Sequence, residues 1–373
     1  MSIPSFENRK FWFGTPSQRS VRVPFARRVG WRLCHDLGML IESVPNYSEG
    51  RRLEVVDRLA AAVTGTPGAY LLDRTSDPSH NRSVLTLAGE DRAVVAALEA
   101  TVAVALEAID MEAHSGEHPR VGAVDVVPFV PLGDTSLDAC VALARSFGQS
   151  VGERFGIPVY LYARAATRPD RVRLADVRRG GYEGVRDEIA TIDDRAPDFG
   201  PRRTHPRAGA MAVGARPFLI AWNINLESTD LDLAKRIART VRESGGGLPA
   251  VQANGFMIEE LRCAQVSMNL LDFRTTPMWQ AWEAVEALAR EAGVGLRESE
   301  LIGLAPVAAF DDVAAHAGGS GALPGTPVEA RFAAAAAFLR LRDASPTMAL
   351  EVRLAAARAD AGPASGHETG GGA

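Results

Sequence analysis

Two short stretches decide the predicted fold: residues 40–50 read LIESVPNYSEG, and residues 218–230 read FLIAWNINLESTD. Each contains a run typical of a strand, then an asparagine, then a Ser/Glu pair where the pattern of a helix begins. From each stretch the chain continues with the patterns of a helix, two strands, a second helix and a strand. The same order therefore occurs twice, and Ser48 and Thr229 are expected to cap the two opening helices.

The repeated order β-α-β-β-α-β is that of the ferredoxin-like motif, in which helices cover one face of a mixed sheet. In the first copy, a strand at 124–130 and a helix at 136–155 are interpreted as an insertion within residues 116–155. The predicted class is α+β, with two consecutive ferredoxin-like subdomains whose sheets face each other across a cleft. Such a cleft is a common place for a ligand site.

Length and composition fit a globular protein of about two domains and argue against two functional classes. A total of 41 Lys and Arg against 46 Asp and Glu disfavours a strongly basic nucleic-acid binder. No run of 18 apolar residues exists, so no membrane span is expected. The scattered residues Cys34, Cys140 and Cys263 indicate neither a disulfide framework nor a CxxC metal site. We expect a cytoplasmic protein.

Composition divides the chain into four predicted segments. Residues 1–38, rich in arginine and poor in acids, are expected to be a disordered or mis-assigned extension before Met39. Residues 39–190 and 191–312 form the two subdomains, and the second opens with a long polar connection at 191–215. Residues 313–373 are expected to be an Ala-rich helical segment and a disordered tail. Long connections in compact proteins are commonly functional or disordered.

The sharpest chemical motif is HSGEHPR at residues 114–120. It matches the H-x-x-E-H pattern of some zinc proteases, which need both histidines on one continuous helix. Gly116 inside the motif and Pro119 directly after His118 oppose such a helix. General acid–base chemistry is the better interpretation, because the unperturbed pKa of imidazole, about 6.5, suits proton transfer near neutrality. A loop histidine with no role remains the competing interpretation.

The neighbours of His118 could support that chemistry. Glu117, Asp125 or a backbone carbonyl could select its tautomer, and Arg120 could hold a carboxylate through a bidentate contact. Two further polar clusters are candidates, DPSHNR at 77–82 and DFGPRRTHPRAGA at 198–210. The first suits a carboxylate-bearing ligand and the second an anionic one. The alternative without a ligand is, for the first cluster, a turn whose polar groups bond to each other, and for the second, a basic linker exposed to solvent.

Six segments, in order along the chain, resemble glutamate formiminotransferase, the transferase half of formiminotransferase–cyclodeaminase. They read VPNYSEG (44–50), NRSV (81–84), IDM (109–111), GEHPRVGAVDV (116–126), APDFGP (196–201) and QVSMNL (265–270). The resemblance covers roughly residues 40–310. Residues 311–373 are too few and too rich in Ala and Gly to be the cyclodeaminase half, so a stand-alone transferase is expected.

The resemblance implies transfer of the formimino group from N-formimino-L-glutamate to tetrahydrofolate, late in histidine breakdown. The products would be L-glutamate and 5-formimino-tetrahydrofolate. It makes residues 39–190 and 191–312 the N- and C-terminal formiminotransferase subdomains, with 191–215 as the folate-contacting connection. It also implies tetrahydrofolate as co-substrate, a homodimer, and no metal, nucleic-acid or membrane partner.

By the same resemblance, the family's catalytic histidine falls on His118, which would move a proton between the folate amine and the departing glutamate nitrogen. Charge and spacing make Arg82 and Arg120 candidates for the glutamate carboxylates, and weaker substrate candidates are Asn46, His80 and Asn81. The folate-contacting stretch falls on Gly200, Pro201, Arg202, Arg203, Thr204, His205, Pro206, Arg207, Ala208 and Gly209.

Some positions depart from the family pattern. Thr75 stands where some members have an acid, which Asp77 could replace, and His80 stands where some relatives have Thr. Residues 202–207 are more basic than in relatives. Two other functions stay open: a folate-dependent formyl-group transferase acting on formylglutamate or 5-formyl-tetrahydrofolate, and a non-catalytic folate-binding module.

Overall fold

The computed structural model describes residues 38–318 and 325–361. The expectations for the N-terminal extension and for the C-terminal tail lie outside these residues. The described chain forms two compact units, one mainly from residues up to 214 and one mainly from 215 onward, while 70–73 and 136–140 group with the second. The connection at 191–214, expected to open the second subdomain, therefore lies in the first unit.

The first unit contains a seven-stranded sheet in the order β1-β4-β2-β5-β7-β6, with β3 paired to β4. Its strands are β1 (Leu40–Ser43), β2 (Asn46–Tyr47), β3 (Ala69–Asp77), β4 (Arg82–Glu90), β5 (Val124–Pro131), β6 (Val159–Ala163) and β7 (Met211–Ala215). Its helices are α1 (Leu53–Thr64), α2 (Asp91–Ala108), α3 (Leu137–Phe155), α4 (Leu174–Val177) and α5 (Gly181–Glu188).

The second unit contains a four-stranded antiparallel sheet in the order β11-β8-β10-β9. Its strands are β8 (Ile220–Leu226), β9 (Val251–Ile258), β10 (Cys263–Leu270) and β11 (Leu296–Ile302). Its helices are α6 (Leu231–Val241), α7 (Met278–Glu291), α8 (Val307–His316), α9 (Val328–Phe338) and α10 (Leu350–Asp360). The structure is thus α+β with two sheets.

Hydrophobic periodicity explains why these elements form. In β8 the alternate residues Ile220, Trp222 and Ile224 are fully buried, which is the period-two pattern of a strand with one face on a core. Helix α6 buries residues at helical spacing: Leu233, Ala234, Ile237, Ala238 and Val241. The helix packs on β9 and β10, so the core of this unit lies between the helices and one face of the sheet.

The interpretation of 124–130 as part of an insertion is wrong. Strand β5 pairs with both β1 and β2, in the registers Ile41–Pro131 and Asn46–Val126. Seven consecutive residues of β5 are buried, which is expected of an inner strand covered on both faces. The additions to the first sheet are instead β6 and β7, and β7 was not predicted.

The expected helix caps are also wrong. Ser48 donates its hydroxyl to the carbonyl oxygen of Gly122 at 2.8 Å, because it lies at the edge of a strand rather than at the helix start. Helix α6 is capped by Asp230, whose carboxylate accepts from the Leu233 N–H at 2.9 Å, and not by Thr229.

Within the described ranges no helix has the length and apolar character needed to cross a membrane. Cys140 and Cys263 are buried free thiols, and Cys34 lies outside the described residues.

Candidate active site

The site is built where the turn between β3 and β4 meets the loop between α2 and β5. Gly116 allows this approach, because a Cβ there would lie 2.2 Å from the carbonyl oxygen of His80. Asn81 joins the segments: its side-chain nitrogen donates to the Ser115 carbonyl at 3.0 Å, and its oxygen accepts from the Gly50 N–H at 3.0 Å. Two motifs 36 residues apart, at Arg82 and His118, are thereby brought together.

His118 lies beside Arg82 at the centre of this junction. The Nη1 atom of Arg82 is 2.6 Å from Nε2 of His118, and since a guanidinium can only donate, Nε2 accepts. Because Nε2 accepts this hydrogen bond, the neutral ring carries its proton on Nδ1.

The electrostatic surroundings keep His118 neutral. Burial lowers its pKa to about 3, and the nearby positive charges of Arg82 and Arg178 act in the same direction. The ring of His80 also faces it, with 5.9 Å between ring centroids and an edge-on geometry. A neutral imidazole has a lone pair that can accept a proton, but at a pKa of about 3 it is a weak base, and a change in its surroundings that raises the pKa would make it a stronger one.

The lowered pKa predicts a stability effect in acid. As the pH drops below about 6.5, the unfolded chain protonates His118, whereas the folded chain does so only near pH 3. The free energy of unfolding therefore decreases as the pH falls from about 6.5 to about 3. When the pH is lowered from 7.5 to 5.0, we expect the free energy of unfolding of His118→Gln to decrease by about 1 kcal/mol less than that of the wild type. The difference is set below the full effect of the pKa shift because His118 is only half-buried and solvent screens part of it. Urea unfolding at both pH values measures this, and equal losses would contradict it.

A buried carboxylate, Asp125, organises the far side of the site. One oxygen accepts from the Val121 N–H at 2.7 Å, and the other forms an ion pair with Arg178. Burial raises the pKa of the Asp125 carboxyl, whereas the charges of Arg178 and Arg82 favour its ionised form. Sequence reasoning missed Arg178, because it directly follows α4 in the long connection and carries no local motif.

Arg120 is held by a partner within the chain. Its guanidinium makes two hydrogen bonds to the carboxylate of Glu183, at 2.9 and 2.7 Å, a bidentate arrangement. Its Nε donates to Nδ1 of His114 at 3.1 Å, and the other nitrogen of that ring contacts the Asn81 carbonyl at 3.0 Å. The arginine predicted to hold a substrate carboxylate thus already binds one.

The other weak candidates have local partners. Nδ1 of His80 lies 2.9 Å from the Asp77 carboxylate, whose second oxygen accepts from the backbone N–H groups of Ser79 and His80. The side chain of Asn46 donates to the Val44 carbonyl at 3.1 Å. His80, Asn81 and Arg82 line the hollow described below, but Asn46 does not.

The stretch 200–209 forms a tight loop attached to the strand entry after His118. The backbones of His205 and Gly209 exchange hydrogen bonds of 2.8 and 3.0 Å. The Ala123 N–H donates to the Ala208 carbonyl and the Ala210 N–H to the Val121 carbonyl, both at 2.9 Å. The loop and His118 are therefore linked through a few residues of hydrogen-bonded backbone.

Within the loop, the basic side chains differ in their partners. Arg202 donates to the Ile189 carbonyl and to Asp193, while Arg207 donates to the Glu107 carbonyl at 3.1 Å. Arg203 is exposed. A positive φ at Gly200 and at Gly209 explains the glycines that bound the stretch.

These groups surround a small surface hollow whose empty space, about 180 Å³, includes open solvent. All its lining residues belong to the first unit: Tyr47, Ser48, His80, Asn81, Arg82, His114, His118, Arg120 and Asp125.

The zinc-protease interpretation lacks its structural basis. Residues 114–116 are irregular backbone and 117–118 form a bend, so the two histidines do not share a helical face. In the part of the chain that the structure describes, no group of three His, Cys, Asp or Glu side chains is placed to hold a metal ion. The arrangement instead suits the class of acid–base enzymes that act on small carboxylate-bearing molecules.

Comparison with known proteins narrows this class to one family. The formiminotransferase domain, N-terminal subdomain, matches residues 40–216, and the formiminotransferase domain matches residues 221–318. The chain is 44% identical over 280 residues to a glutamate formimidoyltransferase of Streptococcus pyogenes serotype M1, covering 75% of this chain and 93% of the relative. It is 45% identical over 278 residues to one of Thermoplasma acidophilum, covering 74% and 91%.

A longer relative matches over part of its length. The formimidoyltransferase-cyclodeaminase of Rattus norvegicus is 44% identical over 285 residues, which are 75% of this chain and 52% of the relative. The chain belongs to the formiminotransferase family, and it is a one-carbon-group transferase.

Proposed function

We propose that this chain is a glutamate formimidoyltransferase, which moves the formimino group of N-formimino-L-glutamate to tetrahydrofolate in histidine degradation. The observation that carries the proposal is the placement of His118. It lies neutral and half-buried in a polar hollow beside Arg82, next to the loop 200–209. The choice of substrates is supported by the two relatives named glutamate formimidoyltransferase, since the matched region covers more than nine-tenths of each.

The proposed reaction exchanges one C–N bond for another. The N5 secondary amine of tetrahydrofolate attacks the formimino carbon, and the bond from that carbon to the glutamate nitrogen then breaks. His118 accepts the proton that N5 loses and returns it to the departing glutamate nitrogen, so no net proton is gained or lost. Positioning two substrates against one imidazole supplies much of the remaining rate enhancement.

We assign the glutamate moiety to Arg82, because the guanidinium of Arg120 is occupied by Glu183. His80 and Asn81 line the same hollow and are secondary candidates, with Asn81 mainly fixing the loop. We assign tetrahydrofolate to the loop 200–209, whose attachment after His118 places it close to the proposed base.

Folate binding gives a testable effect at Arg203. We expect Arg203→Ala to raise the KM for polyglutamylated tetrahydrofolate about three- to fivefold and to leave kcat unchanged, since an exposed ion pair contributes up to about 1 kcal/mol. The effect should fade at high salt. Arg92→Ala, an exposed arginine on α2, is the matched control. An unchanged KM at low salt would remove Arg203 from the folate site.

One assay tests the function itself. The full chain is incubated with tetrahydrofolate and either N-formimino-L-glutamate or N-formyl-L-glutamate, and the folate product and free glutamate are quantified together. We expect turnover with the formimino donor at least tenfold above that with the formyl donor. Turnover with the formyl donor alone would favour the formyl-group transferase, and folate binding without turnover would favour the non-catalytic module.

Three finer features complete the proposal. The connection β8-α6-β9-β10-α7-β11 with strand order β11-β8-β10-β9 supports a ferredoxin-like arrangement in the second unit. We further propose a homodimer in the cytoplasm, in keeping with the family. Light scattering coupled to size exclusion would test the dimer, and a mass near 39.7 kDa would contradict it.

A further inference from the structure

The guanidinium of Arg82 is largely buried, yet no carboxylate of the described residues is hydrogen-bonded to it. Among the described residues its hydrogen bond goes to the neutral ring of His118. Two carboxylates act on it through space only, and both are bound elsewhere: Asp125 to Arg178, and Asp77 to His80. Buried charges in proteins are normally paired, so this cation is set up to receive an anionic group.

A second guanidinium is close to the same point. Arg178 is ion-paired with Asp125, which lines the same hollow as Arg82 and His118, and its charge lowers the pKa values of both groups. Arg178 bonds Asp125 through Nη2, while its Nε is buried and has no hydrogen-bond partner within the described ranges. A buried donor without an acceptor is uncommon and commonly marks the position of a ligand or water.

The contact between Arg82 and His118 occupies the nitrogen that the reaction needs. Nε2 is the unprotonated atom of the ring, and Arg82 donates to it at 2.6 Å. A carboxylate competes well for this guanidinium, because a hydrogen bond between two charged groups is roughly twice as strong as one between neutral groups. An anion that engages Arg82 would therefore release Nε2.

We propose that a carboxylate of the amino-acid substrate binds Arg82 together with Arg178 and thereby draws Arg82 away from Nε2 of His118. Carboxylate recognition is thus coupled to exposure of the base, and Arg178 is a specificity-determining residue. The identity of this substrate, N-formimino-L-glutamate, is taken from the proposed function. A donor lacking the carboxylate would leave the base occupied.

The groups that face His118 set the sign of the expected change. Arg82, Arg178 and His80 disfavour its protonation, while Asp125 and Asp77 offset the charge of Arg82. Moving one guanidinium away and adding a carboxylate both favour the protonated ring, so the pKa of His118 should rise when the site is filled.

NMR titration of the imidazole tests this without any turnover. Histidine-labelled full chain is titrated from pH 3 to 8 alone, with saturating L-glutamate, and with glutaramide, which lacks carboxylates. The His118 signal is assigned by its loss in His118→Gln. We expect L-glutamate to raise the pKa of His118 by at least one unit and glutaramide to leave it unchanged. No rise with L-glutamate, or an equal rise with glutaramide, would overturn the proposal.

Substitution of Arg178 tests its specific part. We expect Arg178→Met to raise the KM for formiminoglutamate at least tenfold and to abolish the rise in the His118 pKa. Since Asp125 then loses its partner, Arg178→Lys serves if the first variant does not fold, and we expect it to raise KM at least threefold. Arg179→Met, at the exposed neighbouring position, is the control. Wild-type KM and titration in a folded Arg178 variant would refute its role.

The two proposals fail in different ways. A retained pKa rise with no transferase turnover would refute the proposed function and leave the anion coupling standing. If turnover is normal and L-glutamate leaves the pKa of His118 unchanged, the coupling is refuted and the proposed function is not.

Discussion

Replacing His118 by alanine is expected to lower kcat about 10²- to 10⁴-fold, which is the usual contribution of a general acid–base residue. The KM for tetrahydrofolate should change only a few-fold, because the loop 200–209 is held by backbone hydrogen bonds rather than by the imidazole. Steady-state kinetics with N-formimino-L-glutamate and tetrahydrofolate, on variant and wild type in parallel, measures both constants.

A matched histidine variant guards against a nonspecific effect. His316→Ala removes a partly exposed imidazole of the second unit, which pairs with Glu283 and stacks on Trp279. It should retain kcat within about twofold, because His316 is not among the residues that line the hollow. If His118→Ala kept most of its transferase rate while properly folded, the proton-transfer role would be lost, and with it the proposed mechanism.

The largest loss of stability is expected from Gly122→Ala. A Cβ at this position would lie 1.8 Å from the Ala210 carbonyl oxygen and 2.5 Å from that of Ala208. Both obstacles are backbone atoms in the bridge between Gly122 and Gly209, so they cannot turn aside as a flexible side chain could. We expect the free energy of unfolding to fall by about 3 kcal/mol or more, in the upper range for single substitutions.

The same substitution should weaken tetrahydrofolate binding, because it pushes the loop 200–209 away from the strand entry after His118. Gly184→Ala is the control: its Cβ would meet only the Arg179 carbonyl at 3.5 Å, and it lies in α5, where alanine is preferred to glycine. Urea unfolding and folate KM check both variants. Wild-type stability in Gly122→Ala would show that the loop is not anchored by this close contact.

Much of the secondary structure was predictable because apolar periodicity is a local property. Periodicity predicts helices at 91–109 and 278–292 and strands at 218–225 and 264–270. The structure has α2, α7, β8 and β10 within a few residues of these bounds. Short elements in the polar connection were not predicted: β7 has a weak pattern, and its place is decided by pairing with strands far away in sequence. Helix α8 was also missed, since the expected composition change at 313 lies inside it.

For the candidate site, the motif at 114–120 and the family resemblance predicted His118 as the base, and charge and spacing predicted Arg82 as a ligand of a substrate carboxylate. The contact between the two residues was not predicted. The sequence did not predict that the guanidinium of Arg120 is bound by Glu183, because Glu183 lies 63 residues further along the chain, on α5. Arg178 was not predictable either, because nothing next to it in the chain marks it, and only its pairing with Asp125 brings it to the site.

The sequence by itself determined most of the regular elements and the family, because side-chain periodicity and motif spacing are recorded along the chain. Only the tertiary structure decided that β5 is an inner strand, that Arg120 is bound by Glu183, and that Arg82 occupies Nε2 of His118. The physical reason is that hydrogen bonds and charge effects depend on distances of a few ångströms. Folding sets those distances between residues that the chain keeps far apart.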